Sequence, residues 1–356
     1  MRRSSTKLNS VRKLMQDNDI ETLLIQRSSN FAWLTNGAES PVSIATDGGS
    51  GAILITKENE YILTNNIEAE RWQKEQRLED WEFVISSWED GWSSSVKKKS
   101  SGKIHSDLPF LEAIDISAKI NSLRYILNED ELVRYRELGA ATGRALQAAA
   151  GNVRVGMTEW EIAGLVANHC YANNIRPIVN LIAVDERVFK YGHPLPTEKK
   201  MERYAMLVLC TRKFGLIASA TRLIHFGSIP DALQRKMNSC ARIDTEMIHA
   251  TREGTTLSDI FNVAQKNYKK EGFKDEWKIH HQGGLTGFQT REILATQETK
   301  HSISLNQAFA WNPSIKGTKS EDTILLTSRG IELITQVDEW PLIECNGIGR
   351  PDILVL

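Results

Sequence analysis

A short motif that occurs twice constrains this chain more than any other feature. Gly156-Met-Thr158-Glu-Trp-Glu161-Ile162 returns as Gly254-Thr-Thr256-Leu-Ser-Asp259-Ile260, with glycine, threonine, acid and isoleucine at the same spacing. In each copy the threonine suits a helix N-cap. The acid three residues on completes a capping box, because its carboxylate reaches back to the N-cap N–H. Two independent helix starts give this pattern, and so does a duplicated half-domain whose cleft lies between the halves.

The rest of the chain has room for such a unit and one more. A length of 356 residues suggests about two domains, and 41% apolar residues supply ample cores. Leu8 to Met15 has helical spacing. Glu21–Ile25, Ala52–Ile55, Tyr61–Thr64 and Trp81–Ser86 read as strands, and a polar helix starts at Ile67. This is a small α/β domain over residues 1–125. Asn128-Glu129-Asp130-Glu131 then opens a long helix with Leu132, Tyr135, Leu138 and Leu146 on its apolar side. Residues 126–356 form one α+β unit containing the repeated motif.

Composition excludes several classes of function. A formal net charge of −1 suggests neither a polyanion partner nor electrostatic membrane docking. Lys97-Lys98-Lys99, flanked by serines, reads as a solvated loop. Nine tryptophans are scattered and form no stacking stripe for nucleic acid. The basic start Met1-Arg2-Arg3-Ser4-Ser5 lacks the apolar core of a secretory signal, and no apolar run reaches the ~18 residues of a membrane span. Cys170, Cys210, Cys240 and Cys345 form no CxxC, so a reduced, cytoplasmic setting is expected.

Other segments carry a family resemblance. His193 followed by Pro194-Leu-Pro-Thr-Glu-Lys-Lys-Met-Glu202 resembles the stretch before the first metal strand of the creatinase and Xaa-Pro peptidase (M24) superfamily. Ala205 to Gly227, with Thr221-Arg222, is similar to that family's two metal strands. Glu321-Asp322-Thr323 to Thr327, then Gly330 to Thr335, is similar to its last metal strand and closing strand. Leu8 to Gly37 resembles its N-terminal domain. The resemblance implies a creatinase-like α/β N-terminal domain and a pita-bread C-terminal domain, whose pseudo-twofold symmetry suits the repeated motif. It also implies a homodimer.

The family's metal chemistry uses two aspartates, one histidine and two glutamates around a pair of divalent ions. Matched by motif, those positions are Val208, Ser219, Gly284, Asn312 and Glu321, so that only Glu321 keeps its identity. The resemblance therefore implies a divergent member with no metal and no other cofactor. His193 matches the histidine that carries protons in creatinase, a metal-free member of the fold, and an imidazole pKa of ~6.5 suits that role. Glu321 is the second catalytic candidate, as a lone carboxylate for a substrate cation or for orienting His193. Arg291 and Glu292 stand where the family has a His-Glu pair, and Arg291 suits a bidentate clamp on a carboxylate. Asn312, Ser219, Cys210 and Trp33 complete the expected substrate-facing set, although Trp33 equally suits core or interface packing. Cys210 reads as a small buried hydrophobe or, beside His193, a nucleophile.

Three functions follow as expectations. The first is a metal-independent hydrolase or related C–N-cleaving enzyme acting on a small polar amide, amidine or modified amino acid. The second is an inactive pseudopeptidase that binds a peptide or protein. The third is an Xaa-Pro-type metallopeptidase with displaced ligands, in which His225, His280 and His281 rebuild a single-metal site with Glu321 or Glu292.

Overall fold

A computed structural model describes residues 5–356; the basic start over residues 1–4 lies outside the described residues. The chain divides into two compact units, one running to Tyr125 and including Phe214–Leu216, the other comprising Ile126–Lys213 and Ile217–Leu356.

The first unit is built on a six-stranded sheet in the order Glu82–Ser86, Glu60–Asn65, Gly48–Thr56, Thr22–Arg27, Ile104–Ser106, Ile114–Asp115. Its inner strands are apolar because both faces are covered, and Leu24, Leu54 and Leu63 pack with Val96. That contact corrects the reading of the lysine run as a loop. Ser93–Lys99 is a helix: Val96 anchors it, and the three lysines occupy the last turn, where positive charge favours the helix dipole. Trp33 keeps its core reading, and the substrate-facing and interface readings are corrected. It sits in the short helix Ser28–Leu34 at 2% exposure, with the Lys7 ammonium on its carbonyl at 2.7 Å. A ring packed in the core offers no surface to a substrate or a partner.

The second unit is a duplicated half-domain. Helix Glu129–Asn152 opens on Asn128, whose side chain accepts from the Glu131 N–H while Glu131 accepts from the Asn128 N–H. Leu132, Tyr135, Leu138 and Leu146 are buried on its inner side. Thr158 then caps helix Glu159–Ala172 and Thr256 caps helix Leu257–Lys270, each in a complete capping box. Each capping threonine also makes an antiparallel bridge, Thr158 to Lys200 and Thr256 to Ser302. Each half adds a long helix, Glu129–Asn152 or Asp231–Ala250, and an antiparallel sheet. One sheet runs Ile353–Val355, Leu216–His225, Tyr204–Lys213, Arg176–Val184; only its edge pair, Ile353–Val355 with Leu216–His225, is parallel. The other runs Ile293–Leu294, Gly283–Thr286, Gln307–Trp311, Asp322–Thr327, Gly330–Leu333.

The two sheets are stitched at one point. Thr221 N–H donates to the Glu321 carbonyl at 3.1 Å, and the Thr323 hydroxyl accepts from Ser219 N–H at 2.7 Å and donates to its carbonyl at 2.9 Å. Beneath the stitch lies a buried ion network. Arg222 pairs with Asp322 at 2.9 Å, and Arg350 pairs with Asp322 at 3.0 Å and Asp244 at 2.8 Å. Charges this deep hold only when each finds its partner, so the network fixes the start of strand Asp322–Thr327, immediately after Glu321. Among the described residues, no helix is long and apolar enough to cross a membrane.

Candidate active site

Glu321 sits at the stitch, 2% exposed, and four donors meet its carboxylate. Oε2 accepts from the Thr221 hydroxyl at 2.6 Å and the Lys319 ammonium at 2.9 Å. Oε1 accepts from Arg291 Nη2 and Asn312 Nδ2, both at 3.4 Å. Burial alone would push the carboxyl up. The charges of Lys319 and Arg291 and the Thr221 hydroxyl outweigh burial and hold it well below the usual carboxylate range. Glu321 is therefore an ionised, fully engaged anion.

Lys319 is the residue that sequence reasoning missed. Its side chain is 4% exposed, although lysine is almost never buried unless paired. The available signal was its place two residues before Glu321, because alternation along an extended chain puts both side chains on one side.

A second cluster faces the same charges. His193, on an exposed loop, lies with Nε2 at 3.1 Å from Nε2 of His280, and its ring is 5.7 Å from that of His281. His280 Nδ1 approaches the His281 carbonyl oxygen at 2.6 Å. A carbonyl accepts only, so Nδ1 of His280 carries the proton and its Nε2 holds the lone pair. His193 then donates through Nε2 and keeps Nδ1 free as a base. Burial pushes His280 down to about 3, with Lys319 and His281 adding to the effect, and His281 down to about 4, with Arg291 and Lys319 adding to it. Burial and the Lys319 charge lower His193 as well. The three rings are neutral at neutral pH.

These histidines line a groove of about 500 Å³ with Phe261, Trp277 and Leu294. His280, Gly192 and Ile279 are shared with an adjoining pocket of about 140 Å³, which reaches Lys319. His193, His280, His281, Arg291, Lys319, Asn312 and Glu321 thus form one constellation.

Other expected residues take no part in it, although the Cys210 thiol lies within reach of the same charges. Cys210 is buried and accepts from Ser219 Oγ at 3.2 Å; burial pushes its thiol up, which leaves it a packed thiol and not a nucleophile. Glu292 turns its carboxylate to the Phe288 N–H at 2.9 Å. His225 lies apart from the other three histidines, with Nδ1 3.0 Å from the Gly227 carbonyl oxygen, so the grouping of His225 with His280 and His281 does not form.

The family's ion pair can be tested against the residues present, and they do not fit it. Val208 lies in an apolar cluster with Met206, Leu223 and Met237. Gly284 has no room for any side chain, because a Cβ there would stand 2.2 Å from the Ile293 carbonyl oxygen. Ser219 and Asn312 are neutral, and the one carboxylate is held by an internal ammonium. Two dications would meet a single compensated anion.

Comparison with known proteins agrees with the fold. The model of metallopeptidase family M24 matches residues 133–328, and that of the creatinase/prolidase N-terminal domain matches residues 7–104. A protein named an uncharacterized peptidase in Staphylococcus haemolyticus is 27% identical over 240 residues, 63% of this chain. One of the same name in Staphylococcus epidermidis is 22% identical over 233 residues. The match spans 66% of the length of each of these relatives. The prolidase of Pyrococcus horikoshii superposes with a TM-score of 0.81 at 20% identity, covering 94% of this chain and 99% of that one. The Xaa-Pro dipeptidase of Bacillus anthracis superposes with 0.79 at 19% identity, covering 99% of each chain. The N-terminal domain of a FACT complex subunit from chickpea shares the fold at 10% identity and a TM-score of 0.71, covering 94% of this chain and 96% of that one. With a creatinase/prolidase N-terminal domain and a pita-bread unit matched over most of its length, the chain belongs to metallopeptidase family M24.

Proposed function

We propose that the protein is a hydrolase that cleaves a C–N bond in a small polar amide, amidine or modified amino acid without the family's ion pair. The observation that carries this reading is the carboxylate of Glu321 closed by Lys319 and Arg291 where the family would hold metal. The peptidase and prolidase names of relatives and structural neighbours support hydrolysis as the reaction class. His193 acts as acid and base: Nδ1 takes a proton from water as its oxygen attacks the carbon, then returns it to the leaving nitrogen. Lys319 and Arg291 provide a preorganised positive field for the oxyanion that develops, at no cost of reorganisation. Phe261 and Trp277 form an aromatic wall along the groove.

The test is incubation of the purified chain with a mixed extract of small polar metabolites, followed by mass spectrometry. Products that gain one water and split at C–N are expected, and His193→Ala should abolish them while leaving the thermal melt unchanged. Unaltered turnover in His193→Ala would remove His193 from the chemistry. No conversion by the native chain would favour a binding protein on the same cleft.

A further inference from the structure

We propose that His193, His280 and His281 form a binding site for a single transition-metal dication, apart from the family's cluster positions. One ring nitrogen from each lies within 4.8 Å of the others, and the Nε2 atoms of His193 and His280 are already 3.1 Å apart. In a tetrahedral site with metal–nitrogen bonds of ~2.0–2.1 Å, ligand nitrogens stand about 3.3 Å from one another. The first two rings are at ligating distance, and the third, with a nitrogen within 4.8 Å of both, must close in by up to about 1.5 Å to ligate.

The surroundings are built for ligation as well. The His281 carbonyl oxygen on His280 Nδ1 fixes the tautomer that leaves Nε2 free, the arrangement that orients ligating histidines in metal sites. His281 Nδ1 is buried with no hydrogen-bond partner, an exception among buried polar atoms that points to a missing partner. Gly192 lets the His193 loop approach, because a Cβ there would meet His280 Cδ2 at 3.0 Å.

Three neutral imidazoles suit Zn²⁺, Cu²⁺, Ni²⁺ or Co²⁺ and not the oxygen-seeking Mg²⁺ or Ca²⁺. The ion takes the place of the proton shared between the two Nε2 atoms, and that proton moves to Nδ1 of His193. Lys319 and Arg291 face the cluster and repel a dication, with Glu321 opposing them, so the groove side of the ion favours an anionic fourth ligand such as hydroxide or a carboxylate. Loading occupies the His193 ring, so the metal form is the one in which His193 cannot move protons. The site goes beyond the proposed hydrolysis, and its test reads binding rather than turnover.

Chelator-stripped full-length protein is titrated with Co²⁺, followed by visible absorption, and with Zn²⁺ by calorimetry. One equivalent with the intense bands of four-coordinate Co²⁺, displaced by Zn²⁺, is expected. His280→Ala and His281→Ala should each weaken binding about tenfold or more, while His225→Ala leaves it unchanged. His193→Ala, on an exposed loop, supplies the same test if a buried variant fails to fold. Absence of saturable binding, binding unaffected by loss of these rings, or a second equivalent that survives their loss would each overturn the site.

Discussion

Lys319 and Glu321 form a buried ion pair at 2.9 Å. A buried carboxylate with a single charge partner removed costs about 3–5 kcal/mol, whereas replacing both charges with apolar groups is often close to neutral. Lys319→Met should therefore lower stability by about that amount, and Lys319→Met with Glu321→Leu should recover most of it; urea melts read both. Acid gives an independent check. The folded carboxyl lies below its ordinary 4.5, so its contribution is present above that pH and is lost as pH falls through the lower folded value. Between those limits Glu321→Gln should lose less stability than the parent as pH drops. Glycines make the matching point about space. Gly284→Ala would drive a Cβ to 2.2 Å from the Ile293 carbonyl oxygen and 2.9 Å from Ala295 N, neither able to yield without moving backbone. A loss of roughly 2–4 kcal/mol is expected. Gly164, on the exposed side of helix Glu159–Ala172 with nothing near its Cβ, should accept alanine and gain about 0.5–1 kcal/mol.

At the scale of elements, what was legible in the sequence was what is decided locally. A capping box is a contact between residues three apart, so Asn128, Thr158 and Thr256 announced their helices without tertiary information. Thr158→Ala and Thr256→Ala should each cost about 0.5–2 kcal/mol in thermal melts, because each leaves first-turn N–H groups without their acceptor. Helix Ser93–Lys99 was hidden for the opposite reason. Its serines and lysines favour a loop by composition, and the deciding contact is Val96 against Leu24 and Leu63, far away in sequence. The candidate site divides along the same line. His193, Arg291 and Glu321 could be named from motif position; Lys319 had only its place two residues before Glu321 to point to it, and its burial is decided by distant packing. The gathering of His193 with His280 and His281, and the exclusion of His225, depends on how a loop meets a distant turn. Position alone left Trp33 open between core, interface and substrate contact, and the packing of its helix decides for the core.

For the whole molecule, family membership settles the fold and leaves the activity open, because the same pita-bread unit serves chains of different chemistry. Rebuilding the cluster by Val208→Asp, Ser219→Asp, Gly284→His and Asn312→Glu should accordingly give a protein less stable than the parent and without efficient peptidase activity. The new carboxylates would enter an apolar wall, and the histidine would have no space. Melts with and without Mn²⁺ or Zn²⁺ measure this. The most direct measurement of the central claim is turnover by protein stripped with a chelator until elemental analysis finds essentially no transition metal. Hydrolysis at the rate of untreated protein, or faster if an ion on the histidines had been holding it back, is expected. Activity lost on stripping and restored only by about two equivalents of Mn²⁺, Co²⁺ or Zn²⁺ would contradict it, because a dinuclear centre would then be driving the reaction.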